Sequence, residues 1–433
     1  MNKNCENKKT VSFITLGCKV NQYETNAMSQ KFIEKGYKIA EENADIIIVN
    51  TCTVTNMSDR KSRHMLRQQK QKNPKAVIVA TGCYAQVAKD NLKEIPEINL
   101  VLGNKEKNNI VEIVENYIKE ETNKVQVKDI MQQKDFQEFG NVVYTEKTRA
   151  VIKIQDGCDR FCSYCIIPYA RGRVRSRKPE NIIEEIEKQV KNGIKEVVLT
   201  GIHIASYGKD FKKDYKLIDL LEQINKIQDL QRIRLGSIEP LLINEEFLRR
   251  LTKLEKICHQ FHLSLQSGCD DTLKRMNRRY TTNEFLEIVN LLRKNYEDVI
   301  LTTDIIVGFP GETDTEFKKT LDFLKQIKFY KMHVFQYSPR KGTKAAQMKE
   351  QIDPKIKEER SKILINLSNK YQKEYNQEQI GKKIEVLFEE NKNGYAKGHT
   401  RNYIEVLFET KENIENETKI VIPYKAEESY IIA

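Results

Sequence analysis

The chain has 433 residues and a net charge of +12, with 39% hydrophobic and 31% charged residues. This length exceeds what one simple hydrophobic core accommodates, so we expect two to four domains. No apolar run approaches the ~20 residues needed to cross a bilayer, and the first ten residues lack the apolar segment of a secretion signal. We therefore expect a cytoplasmic protein without a membrane partner, where clustered cysteines more often hold metals or do redox chemistry than form disulfides.

Positive charge is concentrated in two blocks. Residues 60–75 contain seven basic residues and no acidic one, and residues 170–178 contain basic residues without an acidic one. Such runs often form solvated faces or reflect a lysine-rich proteome, but a net positive charge also favours a polyanionic partner. The candidate phosphate contacts are Arg60, Arg63, Arg67 and Lys70, at helical spacing, and Arg171, Arg173, Arg175 and Arg177.

The first 120 residues alternate apolar, β-rich runs with stretches of helical periodicity. The predicted strands span residues 11–17, 44–50, 76–82 and 98–103. Near-continuous apolar strands separated by helices indicate a parallel sheet covered on both faces. Three of these strands end in cysteine, at Cys18, Cys52 and Cys83. Because the carboxyl ends of parallel strands share one edge, we expect these three thiols, the N-terminal triad, to converge.

Residues 121–145 are polar and weakly periodic, as in a linker, and a second series of strands and helices begins near Arg149. Six strand–helix units in roughly 200 residues predict a partial barrel or a strongly curved parallel sheet. One helix is predicted to begin at Pro179 and to end at Gly193. After a long charged helix, residues from about 381 onwards alternate apolar and polar around Asn-Gly and Lys-Gly turns. That pattern predicts a small antiparallel β-barrel and, with the preceding regions, an α/β multidomain protein.

Three further cysteines lie within eight residues, in the pattern Cys158-x3-Cys162-x2-Cys165. This central triad suits three irons of a cubane cluster and leaves the fourth iron without a protein ligand. An open metal position is typical of a catalytic site. A zinc site is the alternative; zinc usually takes four ligands, and the fourth could come from His203, His259 or His262.

The central triad follows the first strand of the predicted barrel and has Tyr164 before its last cysteine. In these features the chain resembles the radical S-adenosylmethionine (SAM) superfamily. The resemblance implies that a [4Fe–4S] cluster on the central triad binds SAM and cleaves it to a 5′-deoxyadenosyl radical.

The arrangement of all three regions resembles the methylthiotransferases within that superfamily. The resemblance implies a methylthiotransferase N-terminal domain over residues 9–121, a linker over 122–143, a radical SAM core over 144–369 and a TRAM-like β domain over 370–433. It also implies a second [4Fe–4S] cluster on the N-terminal triad, which would carry the sulfur. SAM would then serve both as methyl donor and as radical source.

The segment "TLGCKVNQYET", Thr15 to Thr25, is similar to the subgroup that acts on N6-threonylcarbamoyladenosine at position 37 of tRNA. The resemblance therefore implies methylthiolation of C2 of that base in the anticodon stem-loop, with an electron donor such as a flavodoxin or ferredoxin. Two other subgroups remain as alternatives, one acting on N6-isopentenyladenosine-37 and one on a ribosomal-protein aspartate.

The resemblance also implies where SAM would bind. Tyr164 would belong to the SAM site, Glu239 and Gln266 would contact the polar groups of SAM, and Gly308 and Phe309 would face its adenine. Strand-end packing or helix capping is the alternative role for these residues, and "GETDTEF" predicts an N-cap at Thr313 or Asp314. The remaining cysteines, Cys5, Cys258 and Cys269, are predicted to be ordinary reduced thiols, although Cys269 could touch the active site.

The C-terminal module carries nine basic and twelve acidic residues over positions 371–433. Phosphate contacts require positive charge, so the module cannot hold RNA by its overall charge. Local contacts could still come from Lys397, His399, Arg401 and Tyr403. Two further classes remain open, an iron–sulfur electron carrier and a non-catalytic RNA-binding adaptor; cleavage of SAM would exclude both.

Overall fold

The computed structural model describes residues 9–120, 123–140, 142 and 148–433. In these residues no helix is both long and apolar enough to span a membrane. Cys5 and the predicted boundaries at 121/122 and 143/144 involve residues outside the described ranges.

The N-terminal region forms a six-stranded sheet in the order β2-β1-β3-β4-β5-β6, and every neighbouring pair is parallel. This confirms the predicted parallel α/β sheet. The strands are β1 (Thr10–Thr15), β2 (Lys38–Ile39), β3 (Ile46–Thr51), β4 (Val77–Gly82), β5 (Leu100–Leu102) and β6 (Val125–Gln126). The helices are α1 (Lys19–Glu34), α2 (Asn56–Lys72), α3 (Cys83–Val87), α4 (Lys89–Lys93) and α5 (Ile110–Glu120).

Strand β3 shows why this part of the sequence is apolar almost without interruption. Ile46 and Ile48 pack in the core on one face of the sheet, while Ile47 and Val49 pack in the core on the other. Successive side chains of a strand point to opposite faces, so a central strand covered on both sides needs apolar residues at every position.

The segment predicted to be a linker is partly built into the fold. Its β6 pairs with β5 and extends the sheet by one strand. Ile130 and Phe139 of the same segment are buried. A two-residue strand carries too little periodicity to be recognised in a polar sequence.

The central region contains seven parallel strands in two sheets. One sheet has the order β11-β10-β7 and another the order β12-β13-β14-β15. They are linked because β12 follows β11 after a single residue and Ile233 forms a parallel bridge with Ile257. The parallel strands are β7 (Arg149–Lys153), β10 (Glu196–Thr200), β11 (Arg232–Leu235), β12 (Ser237–Ile238), β13 (Gln260–Leu263), β14 (Ile300–Val307) and β15 (Lys331–Gln336); β8 (Gln155–Asp156) and β9 (Arg175–Ser176) form a separate antiparallel pair.

The helices of the central region are α6 (Ile167–Arg171), α7 (Pro179–Lys191), α8 (Leu217–Asn225), α9 (Glu245–Leu251), α10 (Asp270–Arg275), α11 (Thr282–Asn295), α12 (Asp314–Ile327) and α13 (Pro354–Gln377). Helix α7 has the predicted Pro179 start, and Gly193 (φ +92°) follows its end. Thr313 caps α12, as predicted, by accepting a hydrogen bond from the backbone of Glu316. The predicted boundary at 369/370 falls inside α13, since Leu364 packs in the central core and Tyr375 packs against the C-terminal module.

The C-terminal module is a six-stranded sheet in the order β19-β16-β17-β18-β21-β20. Its strands are β16 (Ile384–Lys392), β17 (Tyr395–Thr400), β18 (Glu405–Glu409), β19 (Thr418–Val421), β20 (Lys425–Ala426) and β21 (Ile431–Ile432). The sheet is mixed rather than antiparallel throughout, because β18 and β21 pair in parallel.

The two predicted turns of this module differ in outcome. Asn393 (φ +52°) and Gly394 (φ +81°) form the turn between β16 and β17, as Asn-Gly predicts. The prediction of a Lys-Gly turn is wrong, because Lys397 and Gly398 lie inside β17. A Cβ at Gly398 would be 2.4 Å from the Leu387 carbonyl oxygen, so this glycine permits close packing instead of a turn.

The module packs against the amino ends of the central strands. Arg149, the first residue of β7, forms a 2.9 Å ion pair with Glu389, and Arg232, the first residue of β11, donates to the His399 carbonyl over 2.9 Å. The central cysteine loop follows the carboxyl end of β7. The C-terminal module therefore covers the opposite end of the central domain.

Candidate active site between two cysteine triads

The N-terminal triad lies where the sequence predicts, after three adjacent strands. Cys18 precedes α1, Cys52 follows β3, and Cys83 begins α3 directly after β4. Gly17 (φ +103°) and Gly82 (φ +97°) make this close approach possible. A Cβ at Gly17 would be 2.8 Å from the Cys52 Sγ, and one at Gly82 would be 2.5 Å from the Thr51 carbonyl oxygen.

The central triad sits on a loop held by backbone contacts at both ends. The Cys158 amide donates to the Gly172 carbonyl over 3.0 Å, and the Cys165 amide donates to the Cys162 carbonyl over 2.9 Å. Residues after α10 hold the middle of the loop, since the Ser163 amide donates to the Met276 carbonyl over 3.0 Å. The loop geometry is thus fixed by the fold.

Burial disfavours the free thiolates at both triads. It raises the pKa of the Cys158 and Cys52 thiols to about 11 and that of Cys165 to about 12. A bound cation reverses this preference, because a coordinating thiol is deprotonated outright. The Arg278 guanidinium lies 3.4 Å from the Cys162 Sγ and supplies one such positive charge already.

Both triads fit an iron–sulfur cluster better than a single ion. In the described part of the chain, the three ligand atoms of neither triad all lie within 4.8 Å of one another, as the ligands of one ion would. A cubane cluster takes each thiolate on a different iron and so tolerates wider spacing. A zinc ion at either triad would require the thiols to move together.

The three histidines considered as a fourth zinc ligand occupy different places. His203 lines the cavity beside the central triad. His259 pairs with Asp298 at 2.6 Å before β13, and His262 pairs with Asp304 at 3.1 Å inside the strand layer. All three therefore have other partners, since His203 contacts Ser206 and Glu239.

A cavity of about 150 Å³ adjoins the central triad. All three cysteines line it together with Tyr164, Glu239 and Gln266, three of the predicted SAM contacts. Gln266 has a left-handed backbone (φ +71°), which non-glycine residues adopt at a cost and mostly at functional sites. The cavity thus places polar groups beside the central triad.

Glu239 is held in its ionised form at the rim of this cavity. Burial alone would raise its pKa, but the hydrogen bond and charge of His203 and the charge of Arg160 lower the pKa to about 2. Arg160 forms an ion pair with the carboxylate, and the His203 Nε2 lies 3.3 Å from it.

The predicted adenine contacts lie outside the cavities described at this site. Gly308 faces α13, where an added Cβ would be 2.3 Å from the Lys357 Cγ. Phe309 is fully buried and packs edge-on against Tyr164, with ring centroids 6.5 Å apart. The contact of these two residues with adenine stays a prediction; in the structure Phe309 supports Tyr164 from behind.

A second cavity of about 270 Å³ lies between the N-terminal and central domains. Val54 and Thr55, just after Cys52, form one wall, and Phe335 and Tyr337 contribute to the other. It adjoins the first cavity, because the residues that line both include Tyr164, Cys165 and Gln266. An apolar cavity beside two cysteine-bearing loops is suited to a flat ring system.

Arg340 attaches the loop after Cys52 to the central domain. Its guanidinium donates to the Thr53 hydroxyl at 2.7 Å, to the Asn56 side chain at 2.6 Å and to the Asp59 carboxylate at 2.5 Å. The Arg340 side chain is 7% exposed and that of Asp59 13%. A buried charge that makes three hydrogen bonds fixes the relative position of the two domains.

Only part of the first basic stripe faces solvent. Arg60 and Arg67 are exposed. Arg63 donates to the Tyr84 hydroxyl at 2.6 Å, and Lys70 donates to the Ala76 carbonyl at 2.9 Å. Helix α2, which carries this stripe, begins at the 270 Å³ cavity because Thr55 is its N-cap.

Three of the four arginines predicted to contact phosphate in the second block are buried instead. Arg171, Arg175 and Arg177 are 0%, 1% and 2% exposed. Their partners are carboxylates: Arg171 pairs with Glu24, and Arg177 pairs with Glu185. This corrects the prediction, and Arg173, with a side chain 55% exposed, is the member of the block that remains at the surface.

Some of the C-terminal residues considered for RNA contact instead make contacts within the protein. Tyr403 stacks on His399 at 4.6 Å and lies 4.5 Å from the Arg234 guanidinium. Lys397 pairs with Glu405 at 2.8 Å. Cys258 and Cys269 are buried, and neither lines a cavity described above.

The sequence prediction missed several charged residues between the two triads. They are Glu24, Lys107, Lys153, Asp156, Arg278 and Arg340. Asp156 and Lys153 are close to each other in the sequence. Each of the other residues is far along the chain from its main partner or from the cysteine that it contacts. Helical periodicity gives a weak signal for Glu24, which lies among the buried residues of α1.

Comparison with known proteins agrees with this geometry. The model of the radical SAM superfamily matches residues 152–324, and the model of uncharacterized protein family UPF0004 matches residues 10–103. Among solved structures, the radical SAM methyltransferase TsrM of Kitasatospora setae, with tryptophan substrate and a SAM analog bound, aligns with a TM-score of 0.57 at 15% identity. That alignment covers 76% of this chain and 73% of TsrM, and shows the radical SAM fold.

Curated relatives match nearly the whole chain. The threonylcarbamoyladenosine tRNA methylthiotransferase MtaB of Bacillus subtilis (strain 168) is 42% identical, over 94% of this chain and 91% of that protein. MtaB of Aquifex aeolicus (strain VF5) is 41% identical, over 95% and 100%. The tRNA-2-methylthio-N(6)-dimethylallyladenosine synthase of Caldicellulosiruptor saccharolyticus is 38% identical, over 92% and 86%. With its radical SAM fold, its two cysteine triads and these relatives, the chain belongs to the methylthiotransferase family of radical SAM enzymes.

Proposed function

We propose that this protein adds a methylthio group to C2 of N6-threonylcarbamoyladenosine at position 37 of tRNA. The observation that carries the proposal is the apposition of two cysteine triads across a domain boundary, with a cavity of about 270 Å³ beside them. The names of the relatives at 41–42% identity support this base as the substrate.

The six cysteines are proposed to hold two [4Fe–4S] clusters, one per triad. When bound, the two clusters and SAM would supply the radical that removes hydrogen from C2, the sulfur and the methyl group. Tyr164, Glu239 and Gln266 are proposed to orient SAM, since their side chains line the cavity beside the central triad. Arg160 and His203 hold Glu239 ionised, so that it can accept hydrogen bonds from a cationic group.

The domain assignment follows the same proposal. Residues 9–121 would form the methylthiotransferase domain, 144–369 a radical SAM core with a partial (β/α)6 barrel, and 370–433 a TRAM-like β-barrel, with the segment 122–143 between the first two. The bulge between Phe388 and Glu390 supports a curved C-terminal sheet. A flavodoxin or ferredoxin in the cytoplasm is proposed as the electron donor.

We propose that the anticodon stem-loop follows α2 into the 270 Å³ cavity. Replacing Arg60 and Arg67 together by glutamine should weaken tRNA binding several-fold and lower its salt dependence. Two lost phosphate contacts reduce the slope of log K against log salt by about 1.4 to 1.8. Fluorescence anisotropy at several salt concentrations measures this slope. Lys318→Gln, an exposed lysine on α12, is the control; equal slopes in all three proteins would contradict the placement.

Mass spectrometry of nucleosides from total tRNA tests the function itself. Deleting the gene should remove 2-methylthio-N6-threonylcarbamoyladenosine and leave the unthiolated nucleoside to accumulate. Complementation with the wild-type gene should restore it, which shows that the loss is caused by this gene. Loss of the isopentenyl (dimethylallyl) counterpart instead would assign the chain to the activity named for the 38% identical relative. No change in any tRNA nucleoside would contradict the proposal and direct attention to a ribosomal-protein aspartate.

A further inference from the structure

Arg171 reaches from the central domain to a cysteine of the N-terminal triad. It is the last residue of α6, which begins two positions after Cys165. Its Nε donates to the Cys83 Sγ over 3.1 Å. One buried side chain therefore joins the segment of one triad to a ligand of the other.

The orientation of this guanidinium is set by α1. Arg171 Nη2 donates to the Asn21 side chain at 2.6 Å and to the Glu24 carboxylate at 3.1 Å, and Nη1 donates to the second oxygen of Glu24. A planar guanidinium offers its donors in a fixed fork, so pairing at one edge dictates where the remaining donor points. Because Glu24 and Asn21 bind the two Nη atoms of Arg171, its Nε points at the Cys83 Sγ.

The charges around Arg171 do not balance among themselves. Among the residues that the structure describes, four buried cations, Arg171, Arg175, Lys107 and Lys153, lie within 4 Å of only two carboxylates, Glu24 and Asp156. Arg171, Lys107 and Lys153 hold the pKa of Glu24 well below its usual range even though burial alone would raise it, so it is ionised. Burying excess charge is costly unless an opposite charge is near.

The Cys83 sulfur is the acceptor that can supply further negative charge. It lies 3.1 Å from the Arg171 Nε, where a bound cluster would meet the excess positive charge. Three thiolates on an iron–sulfur cluster outweigh the positive charge of its oxidised core, so the bound group would be anionic. The pocket is thus built for an anion at Cys83.

We propose that Arg171 is a positioning residue whose hydrogen bond orients the Cys83 sulfur as a ligand and raises the reduction potential of the cluster on the N-terminal triad. Reduction adds negative charge to the cluster, and a hydrogen bond from a cation to a ligand sulfur stabilises the more negative state. This inference rests on the cluster assignment made in the proposed function.

The test uses the full-length chain with Cys158, Cys162 and Cys165 replaced by alanine, so that only the N-terminal triad binds a cluster. After anaerobic reconstitution, iron per chain is counted and the midpoint potential is measured by a redox titration followed by electron paramagnetic resonance. Arg171→Gln should shift the reduction equilibrium at least tenfold towards the oxidised form, which is about 59 mV for one electron. Arg177→Gln is the matched control: it removes another buried, glutamate-paired arginine of the same segment and should leave the potential unchanged.

Glu24→Gln tests the inference in the opposite direction and does not depend on whether Arg171→Gln folds. It removes a negative charge from the network and keeps an acceptor for the guanidinium, so the potential should rise. An unchanged potential in Glu24→Gln, or equal shifts in Arg171→Gln and Arg177→Gln, would overturn the role of Arg171 while leaving the proposed function intact. A parent protein that binds no iron would overturn both.

Discussion

Replacing Cys52 by alanine should reduce methylthiolation more than about 100-fold while leaving SAM cleavage at the central triad intact. Even residues that only support a metal ligand typically change affinity or activity 10–100-fold, so loss of one of three ligands should exceed that. Cys52 is separated from the central loop by the cavity wall of Val54 and Thr55. Anaerobic assays of 5′-deoxyadenosine formation and of the modified nucleoside, with iron per chain, measure the three consequences separately.

Cys258→Ala is the matched control for this substitution. Cys258 is also buried, but it lies outside both triads at the amino end of the central strands. Both activities should persist in it. If a folded Cys52→Ala protein loses SAM cleavage as well as methylthiolation, the two triads do not act as separate cluster sites.

Arg340→Met should lower the thermal stability of the docked domains and reduce methylthiolation more than SAM cleavage. Breaking a buried ion pair by removing one partner typically costs about 3–5 kcal/mol, because the other charge stays buried. For a domain of roughly 150–250 residues, each kcal/mol lowers Tm by about 2–4 °C, so a fall of roughly 6 °C or more is expected. Differential scanning calorimetry measures it.

A double substitution separates the charge from the packing. Asp59→Asn removes the partner carboxylate, which lies 2.5 Å from Arg340. In the Arg340→Met/Asp59→Asn protein the unpaired charge is gone, so the loss of Tm should be smaller than the sum of the two single losses. Additive losses would show that the ion pair does not hold the loop after Cys52.

The sequence predicts the positions of the cysteines better than the positions of the charged side chains that contact them. The local sequence pattern fixes the place of a cysteine at the end of an apolar strand, because the carboxyl ends of parallel strands lie at one edge of the sheet. Cys18, Cys52 and Cys83 follow β1, β3 and β4 for that reason. Their convergence depends only on the strands being neighbours.

The arginines of residues 171–177 illustrate the opposite case. A run of basic residues is typical of a solvated surface, and the carboxylate that pairs most closely with its first arginine is far away in sequence. Arg171 pairs with Glu24, 147 residues away. Only the docking of two domains brings these groups together, and helical or strand periodicity carries no information about it. The same holds for Arg340, which is 281 residues from Asp59.

Arg171 and Arg340 also set an order of events during synthesis. Both come from the central domain, yet they contact Cys83 and the loop after Cys52 in the N-terminal domain. A chain emerging from the ribosome at about 5–20 residues per second completes the N-terminal sheet roughly 10 to 50 s before Arg340 appears. Arg171 appears before Arg340, so during part of that interval Cys83 has its arginine partner while the loop after Cys52 lacks the side chain that attaches it. Attachment of this loop is therefore coupled to completion of the central domain, and a truncated chain that ends before Arg340 lacks the contact that holds the loop in place.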